Sequence, residues 1–201
     1  MKLLFLLLMA YLVGSVPFAL VIGKVFYKTD VRQHGSKNLG GGNTGRVLGK
    51  KAGVAVMTLD LLKVTLVVFA ATRLFHNEAV TACAGLTAAA GHCWPVFARF
   101  RGGKAVATLY GFLFGMFVCM GYGPLVFLLP LLTFLLVLKC TKIIALSSMI
   151  SAVAAVSIAA FAGASLPVLL ALAVFTLLIV VRHKANIQRM RRREENKVSW
   201  I

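Results

Sequence analysis

A glycine-rich basic loop follows the first long apolar run and carries side chains suited to binding an anion. The stretch HGSKNLGGGNTGRVLGKKAG, residues 34–53, contains no acidic residue. Its glycines let backbone N–H groups approach an anion closely, and Arg46 can hold a phosphate through two parallel hydrogen bonds. Uncharged hydrogen-bond donors stand at Ser36, Asn38, Asn43 and Thr44. The loop predicts a phosphate cradle, and a flexible basic linker at a membrane surface stays open as the alternative.

Two nucleotide-binding motifs fail in this loop. Gly40, Gly42 and Gly45 spell GxGxxG, but that fingerprint works after a strand and needs an acid about 20 residues later. Here an apolar run of membrane-spanning length precedes it. Gly49-Lys50 lacks the surrounding residues of a P-loop. We therefore expect no nucleotide cofactor.

A second basic cluster repeats the same chemistry. In GHCWPVFARFRGGKAVAT, residues 91–108, the glycine pair Gly102 and Gly103 lies among Arg99, Arg101 and Lys104. Lys104 comes just before the next apolar run, where a helix N-terminus adds positive potential. The alternative is a tight turn whose charges only set membrane topology.

Three further polar positions lie in or beside apolar runs. Asp60 and Lys63 are three residues apart, so they share a helix face and can neutralise each other. We interpret them as a structural pair that also orients the site. In the tail, His183 and Asn186 share a face just beyond the last apolar run, although a lipid-binding basic helix is the alternative. Ser148 lies roughly one turn into the sixth run, on the predicted cytoplasmic side.

The composition requires a membrane. Hydrophobic residues make up 60% of the 201 residues, and the mean hydropathy is +0.92. A membrane-spanning helix needs roughly 20 mostly apolar residues. Such runs lie near residues 3–26, 53–74, 79–98, 105–120, 122–138, 143–162 and 166–182. We expect an all-α integral membrane protein of seven transmembrane helices, as a single membrane domain over residues 1–201.

The placement of the basic residues predicts the orientation. Lysine and arginine concentrate on the cytoplasmic side of short loops. Most of the 22 basic residues follow the first, third, fifth and seventh runs, which places the N-terminus outside and the basic tail, 183–201, in the cytoplasm. The net charge of +17 then reflects topology and contact with anionic lipids, and nucleic acid binding is excluded because no soluble domain remains. The first run is expected to be retained as a helix.

The phosphate-binding features share one side of this predicted topology. A transporter should carry polar groups near the bilayer midplane and access from both faces. This chain leaves its outer loops nearly bare. That distribution favours an interfacial enzyme that acts on an anion and an apolar substrate, with an organic-phosphate or anion transporter as the alternative. The four cysteines show no metal-binding or disulfide spacing, so no metal site is expected.

Five motifs in order resemble the bacterial acyl-phosphate:glycerol-3-phosphate acyltransferase family. They are GSVPFALVIGK, GSKNLGGGNTGRVLGKKAG, DLLK, GHCWPVFARFRGGKAVAT and HKANIQR. The resemblance covers nearly the whole chain. It implies acyl transfer from acyl phosphate to the 1-hydroxyl of glycerol 3-phosphate, giving lysophosphatidic acid and phosphate. It also implies the bacterial cytoplasmic (inner) membrane, a site on the cytoplasmic side, and no metal or nucleotide. A homo-oligomer stays open.

The resemblance also assigns residues. Ser36, Asn38, Gly40 and Asn43 are similar to the phosphate-binding stretch of the first motif, and Arg46 and Lys104 to residues that hold glycerol phosphate. Gly102 and Gly103 match the second glycine turn, Ser148 the serine of the sixth span, and His183 with Asn186 the third motif. The family is thought to use no dedicated protein base, so substrate phosphate would help to deprotonate the hydroxyl.

The chain departs from the family pattern at several positions. Gly42 and Ala145 stand where hydroxyl residues are typical. These losses fall in the region expected to hold the donor phosphate. They leave open a slower enzyme, another donor, or a paralogue with another acceptor or no activity.

Overall fold

The described part of the protein, residues 1–198 of a computed structural model, is helical and contains no strand. Residues 199–201, the end of the predicted basic tail, lie outside the described residues. The α-helices are α1 Lys2–Gly14, α2 Phe18–Tyr27, α3 Gly41–Leu48, α4 Lys50–Phe75, α5 Glu78–Cys93, α6 Val106–Cys119, α7 Leu125–Thr141, α8 Ile144–Phe161, α9 Leu166–Arg182 and α10 Lys184–Arg191.

Every predicted apolar run contains helix, but the runs differ in length and continuity. Three stretches of residues 1–198 are long and apolar enough to cross a membrane, namely Lys2–Tyr27, α4 and α8. The pair α9 and α10, bent by 58°, is a fourth if it counts as one span, while α6 and α7 are shorter apolar helices. The prediction of an all-α membrane protein is confirmed. The count of seven and the orientation of the termini remain predictions.

Two predicted spans have different boundaries because of proline. The run 3–26 is interrupted between Gly14 and Phe18, where Pro17 lacks the N–H that a continuous helix would use. The run 79–98 ends as a helix at Cys93, since Pro95 disfavours helical geometry at Trp94 before it. The basic loop also differs from a plain loop, because α3 forms within it.

The core packs through small residues that bring helices close together. Gly111 of α6 lies against the Leu61 carbonyl of α4, and a Cβ there would overlap the backbone. The rings of Phe112 and Phe175 stack at 5.3 Å between centroids, which joins α6 to α9. Small residues at helix contacts are typical of membrane bundles, where lipid supplies no hydrophobic drive for helix association.

The end of the bundle that carries Glu78 is closed by a polar cluster. Tyr122 donates to both carboxylate oxygens of Glu78, at 3.0 and 3.1 Å. The Ser165 hydroxyl also contacts Glu78, and the Ser165 N–H donates to the Tyr122 oxygen at 3.2 Å. Glu78 begins α5, whereas Tyr122 and Ser165 lie in the α6–α7 and α8–α9 connections, so the cluster ties these three parts of the chain together. We call this the Glu78 end.

Candidate active site

Lys104 and Asn186 meet at the opposite end of the bundle, which we call the site end. The Lys104 Nζ donates to the Asn186 Oδ1 at 2.5 Å, and the Asn186 Nδ2 donates to Glu195 at 2.6 Å. Glu195 also accepts from the Arg189 Nε at 2.8 Å. Lys104 precedes α6 and Asn186 lies in α10, so residues 82 positions apart form one chain of charge-assisted hydrogen bonds.

The glycine turn beside Lys104 is held from two sides. Arg182, the last residue of α9, donates its Nε to the Gly103 carbonyl at 3.0 Å and its Nη2 to the Gly102 carbonyl at 3.1 Å. On the other side, the Gly103 N–H donates to the His92 carbonyl at 3.0 Å. A Cβ on Gly103 would overlap the His92 ring. This close approach explains why a glycine stands before Lys104.

His183 is a neutral imidazole at the α9–α10 bend. It is buried, and its Nδ1 lies 2.8 Å from the Ile179 carbonyl, which can only accept. The Nδ1 therefore carries the proton, and the Nε2 lone pair is the acceptor. Burial and, to a smaller extent, the charge of the neighbouring Lys104 lower the pKa of His183 to about 4. Its charge is therefore absent near neutral pH.

The site end is strongly cationic. The pKa of Lys104 is lowered to about 8, mainly by burial and also by the charges of Arg189, Arg182 and Arg46, against the opposing effect of Glu195. Asp30, which precedes the basic loop, is already paired, since its Oδ2 lies 2.6 Å from the Arg32 Nη2 and the hydrogen bonds from Arg32 lower the Asp30 pKa to about 2. An incoming anion would therefore meet an excess of positive charge.

The basic loop is organised by Asn43. The Ser36 N–H donates to the Asn43 Oδ1 at 2.8 Å, and the Asn43 Nδ2 donates to the carbonyls of Val31 and His34 at 3.0 and 3.2 Å. Both ends of this buried amide therefore hold the loop. The Ser36 side chain is exposed.

The start of α3 is set by two further predicted residues. Gly40 is the N-cap of α3, and its carbonyl accepts from the Thr44 hydroxyl at 3.1 Å. Asn38 lies close to Gly40, since a Cβ on Gly40 would come within 2.8 Å of the Asn38 Nδ2. Arg46, on α3, is exposed and near enough to act on the charge of Lys104.

Ser148 is a predicted site residue whose hydroxyl is buried and used within its own helix. It lies in α8, it is buried, and its hydroxyl donates to the Ile144 carbonyl of the same helix at 2.8 Å. Of the predicted residues, the structure brings together Lys104, Gly102, Gly103, His183 and Asn186, and Arg46 is near enough to act on the charge of Lys104. Ser148 contributes a satisfied helix hydroxyl.

Sequence reasoning missed three residues of this cluster. Arg182 ends the last predicted apolar run and is not among the predicted site residues, although it fixes the glycine turn. Glu195 and Arg189 were considered part of a basic tail, although they orient Asn186. A sequence signal existed for Arg182, because a cation at the end of a helix can bind backbone carbonyls nearby. The contacts of Glu195 with Asn186 and Arg189 could be found only from the structure.

Comparison with known proteins identifies the family. A model of the family described as glycerol-3-phosphate acyltransferase matches residues 4–193. The chain belongs to the glycerol-3-phosphate acyltransferase family. A relative of that name from Geobacillus kaustophilus is 46% identical over 194 residues, 96% of this chain and 95% of the relative. Another, from Listeria welshimeri, is 46% identical over 202 residues, 100% of this chain and 98% of the relative.

Solved structures of this acyltransferase family share the fold. The integral membrane glycerol 3-phosphate acyltransferase PlsY in its glycerol 3-phosphate form has a TM-score of 0.92 and 36% identity, covering 99% of this chain and 96% of that one. Its lysophosphatidic acid form has a TM-score of 0.89 and 35% identity, with the same coverage. The predictions of an acyltransferase and an integral membrane protein are confirmed.

Proposed function

We propose that this acyltransferase transfers an acyl group from acyl phosphate to the 1-hydroxyl of glycerol 3-phosphate, releasing lysophosphatidic acid and inorganic phosphate. The observation that carries the proposal is the Lys104–Asn186 contact beside a glycine turn clamped by Arg182. This arrangement places the partly buried Lys104 ammonium next to the Gly102–Gly103 backbone at one end of an apolar helix bundle. Solved relatives in glycerol 3-phosphate and lysophosphatidic acid forms support the choice of acceptor and product.

The proposed binding step uses the excess charge at the site end. Lys104 and Arg46 would hold the phosphate of glycerol 3-phosphate, with Ser36 and Asn38 as donors at the basic loop. Gly40 would allow close approach of backbone to an anion, and the α3 N-terminus follows Gly40 directly. Gly102 and Gly103 pack against His92 and would serve the site by placing Lys104. The acyl chain would lie among the apolar helices. By binding the phosphate of glycerol 3-phosphate, these residues would position its 1-hydroxyl against the carbonyl of the acyl donor.

The proposed chemical step needs no protein base. The 1-hydroxyl oxygen bonds to the acyl carbon, the bond from that carbon to the phosphate oxygen breaks, and the hydroxyl proton goes to phosphate. Lys104, while it holds the phosphate of glycerol 3-phosphate, would also stabilise the negative charge that develops on the departing phosphate beside it. Neutral His183 could accept a hydrogen bond at Nε2, which would orient the acceptor, and Asn186 would hold Lys104 in place.

The proposed topology has seven spans, an outside N-terminus and the site on the cytoplasmic side of the bacterial inner membrane. The Glu78 end would then face outward. Its tied connections favour an enzyme over an organic-phosphate transporter, which would need access from that side. Single cysteines at exposed Ala162 and Lys197, in a cysteine-free background, should react with an impermeant maleimide only from outside and only from inside, respectively. Labelling of both positions from one side would overturn this topology.

The activity test follows phosphate release from purified protein in lipid vesicles. With palmitoyl phosphate and glycerol 3-phosphate together, we expect phosphate release and lysophosphatidic acid by mass spectrometry. Lys104→Ala should lose about 100-fold in kcat/KM, the typical effect of removing one group that stabilises developing charge. Lys184→Ala, an exposed lysine of α10, is the matched control and should remain active.

Other outcomes of this assay separate the alternatives. Lysophosphatidic acid formed with palmitoyl-CoA, with release of CoA, but not with palmitoyl phosphate would replace the proposed donor. Uptake of glycerol 3-phosphate into sealed vesicles without product would favour a transporter. Folded protein with neither activity would indicate a paralogue whose missing hydroxyls at Gly42 and Ala145 abolish the reaction.

A further inference from the structure

A buried polar network lies behind the site and takes no part in the proposed binding step. The Lys63 Nζ of α4 donates to the Asp60 Oδ1 at 2.7 Å and to the Val16 carbonyl at 2.9 Å, and it lies 3.2 Å from the His92 Nδ1. Asp60, Lys63 and His92 are each at most 6% exposed. The network therefore joins α4, the α1–α2 break and the end of α5 within the core.

The network fixes the protonation of His92. A lysine ammonium has three donors and no acceptor, so its third contact requires the His92 Nδ1 to accept. The His92 proton then sits on Nε2, the ring atom that faces Gly103. The Asp60 oxygen is farther from the Nδ1, at 3.5 Å, so Lys63 is the nearer partner. Lys63 thereby sets both the orientation and the tautomer of the ring.

His92 touches the glycine turn through backbone and side chain. Its carbonyl accepts from the Gly103 N–H at 3.0 Å, and its ring occupies the space where a Gly103 Cβ would stand. Its carbonyl also fills the corresponding space at Gly102. Arg182 grips the same turn from the opposite side. A shift of His92 would therefore move the turn, and Lys104 is the next residue.

We propose that Asp60, Lys63 and His92 are positioning residues, which hold the Gly102–Gly103 turn so that Lys104 faces the bound phosphate. This inference rests on the acyltransferase function proposed above. Stability alone is a poor explanation for the pair, because buried ion pairs can often be replaced by apolar residues without loss of stability. Removal of one partner alone, by contrast, leaves a buried uncompensated charge and destabilises strongly.

That asymmetry supplies the test. Full-length wild type, Asp60→Asn, Lys63→Met and the double variant Asp60→Asn/Lys63→Met are purified in one detergent. Melting temperature, affinity for inorganic phosphate from ligand-dependent thermal shift, and KM and kcat are measured for each. Glu78→Gln is the matched control, because it alters a polar cluster at the other end of the bundle that does not touch the glycine turn.

The expected pattern separates positioning from stability. The double variant should regain most of the melting temperature lost by the single variants, yet bind phosphate about tenfold more weakly and show a raised KM for glycerol 3-phosphate. Glu78→Gln should melt lower with unchanged phosphate affinity. If the double variant recovers phosphate affinity together with melting temperature, the network only stabilises and the inference is wrong.

The phosphate measurement also keeps the two proposals apart. Wild type that binds phosphate without acyl transfer would overturn the proposed function, and a tenfold weaker binding by the double variant would still support positioning. A His92→Phe variant adds a second check, since it keeps a ring against Gly103 but removes the Nδ1 acceptor. We expect it to bind phosphate more weakly as well. Unchanged phosphate affinity would contradict the inference that Lys63 positions the glycine turn through the His92 ring.

Discussion

The two ends of the bundle use polar residues in opposite ways. At the Glu78 end, one carboxylate receives the hydroxyls of Tyr122 and Ser165, so donors and acceptor match. At the site end, the charges of Arg189, Arg182 and Arg46 act on Lys104, and Glu195 opposes them. The first cluster matches hydroxyl donors to carboxylate oxygens and ties connections together, whereas the second holds an excess of cations that can accept an anion. The excess of positive charge, rather than polarity alone, separates the binding cluster from the stabilising cluster.

Matched glycine substitutions should give the largest difference between the ends. Gly103→Ala forces a methyl group into the His92 ring, and we expect the KM for glycerol 3-phosphate to rise about tenfold because Lys104 is displaced. Gly123→Ala, in the connection next to Tyr122, meets open space and should leave the kinetics unchanged. Steady-state kinetics of both variants at equal folded concentration is the measurement. An equal rise in KM for both variants would contradict the proposal that only the site end binds glycerol 3-phosphate.

The pH dependence should report the cationic end specifically. Because the Lys104 pKa is about 8 instead of its ordinary 10.5, the free enzyme loses that charge as the pH rises through 8. We expect the KM for glycerol 3-phosphate to increase severalfold between pH 7 and 9. Lys104→Arg keeps its charge throughout this range and should flatten the profile. A wild-type profile that is flat up to pH 10 would contradict the proposed role of Lys104.

The Glu78 end should affect stability without affecting chemistry. Glu78→Gln removes the charge that strengthens two hydroxyl hydrogen bonds, and we expect the free energy of unfolding to fall by about 1 kcal/mol. The rate per folded molecule should stay the same. Thermal melting and initial-rate assays measure these two quantities. A lower kcat in fully folded Glu78→Gln protein would show that the Glu78 end affects the chemistry at the site end, which contradicts this prediction.

The smallest effect is expected at Gly42, on the exposed face of α3. A Cβ at this position meets no atom within 4 Å, so Gly42→Thr restores the family hydroxyl without a clash. Because glycine is a poor helix former, we expect stability to rise by a few tenths of a kcal/mol. Activity should increase or stay unchanged, as measured by melting and phosphate release. A loss of activity would show that this loop excludes a side chain.

Much of the fold could be predicted from apolar runs, because a run of membrane length has few alternatives to a helix. The site was predicted less completely. Lys104, His183 and Asn186 carry visible chemistry and do lie together. Arg182 and Glu195 do not stand out in the sequence, since their roles depend on contacts with residues about 80 and 9 positions away. The α1–α2 break was also missed, because its compensation comes from α4.

That break has a consequence for how the protein is made. A helix interruption leaves carbonyls without intrahelical partners, and lipid cannot satisfy them. The Val16 carbonyl receives its hydrogen bond from Lys63, which is synthesised 47 residues later. At about 5–20 residues per second, the first helices would exist for several seconds before that partner arrives. We expect nascent chains ending before α4 to keep residues 15–17 near water, detectable by cysteine labelling at Ser15, and chains that include α4 to lose that reactivity.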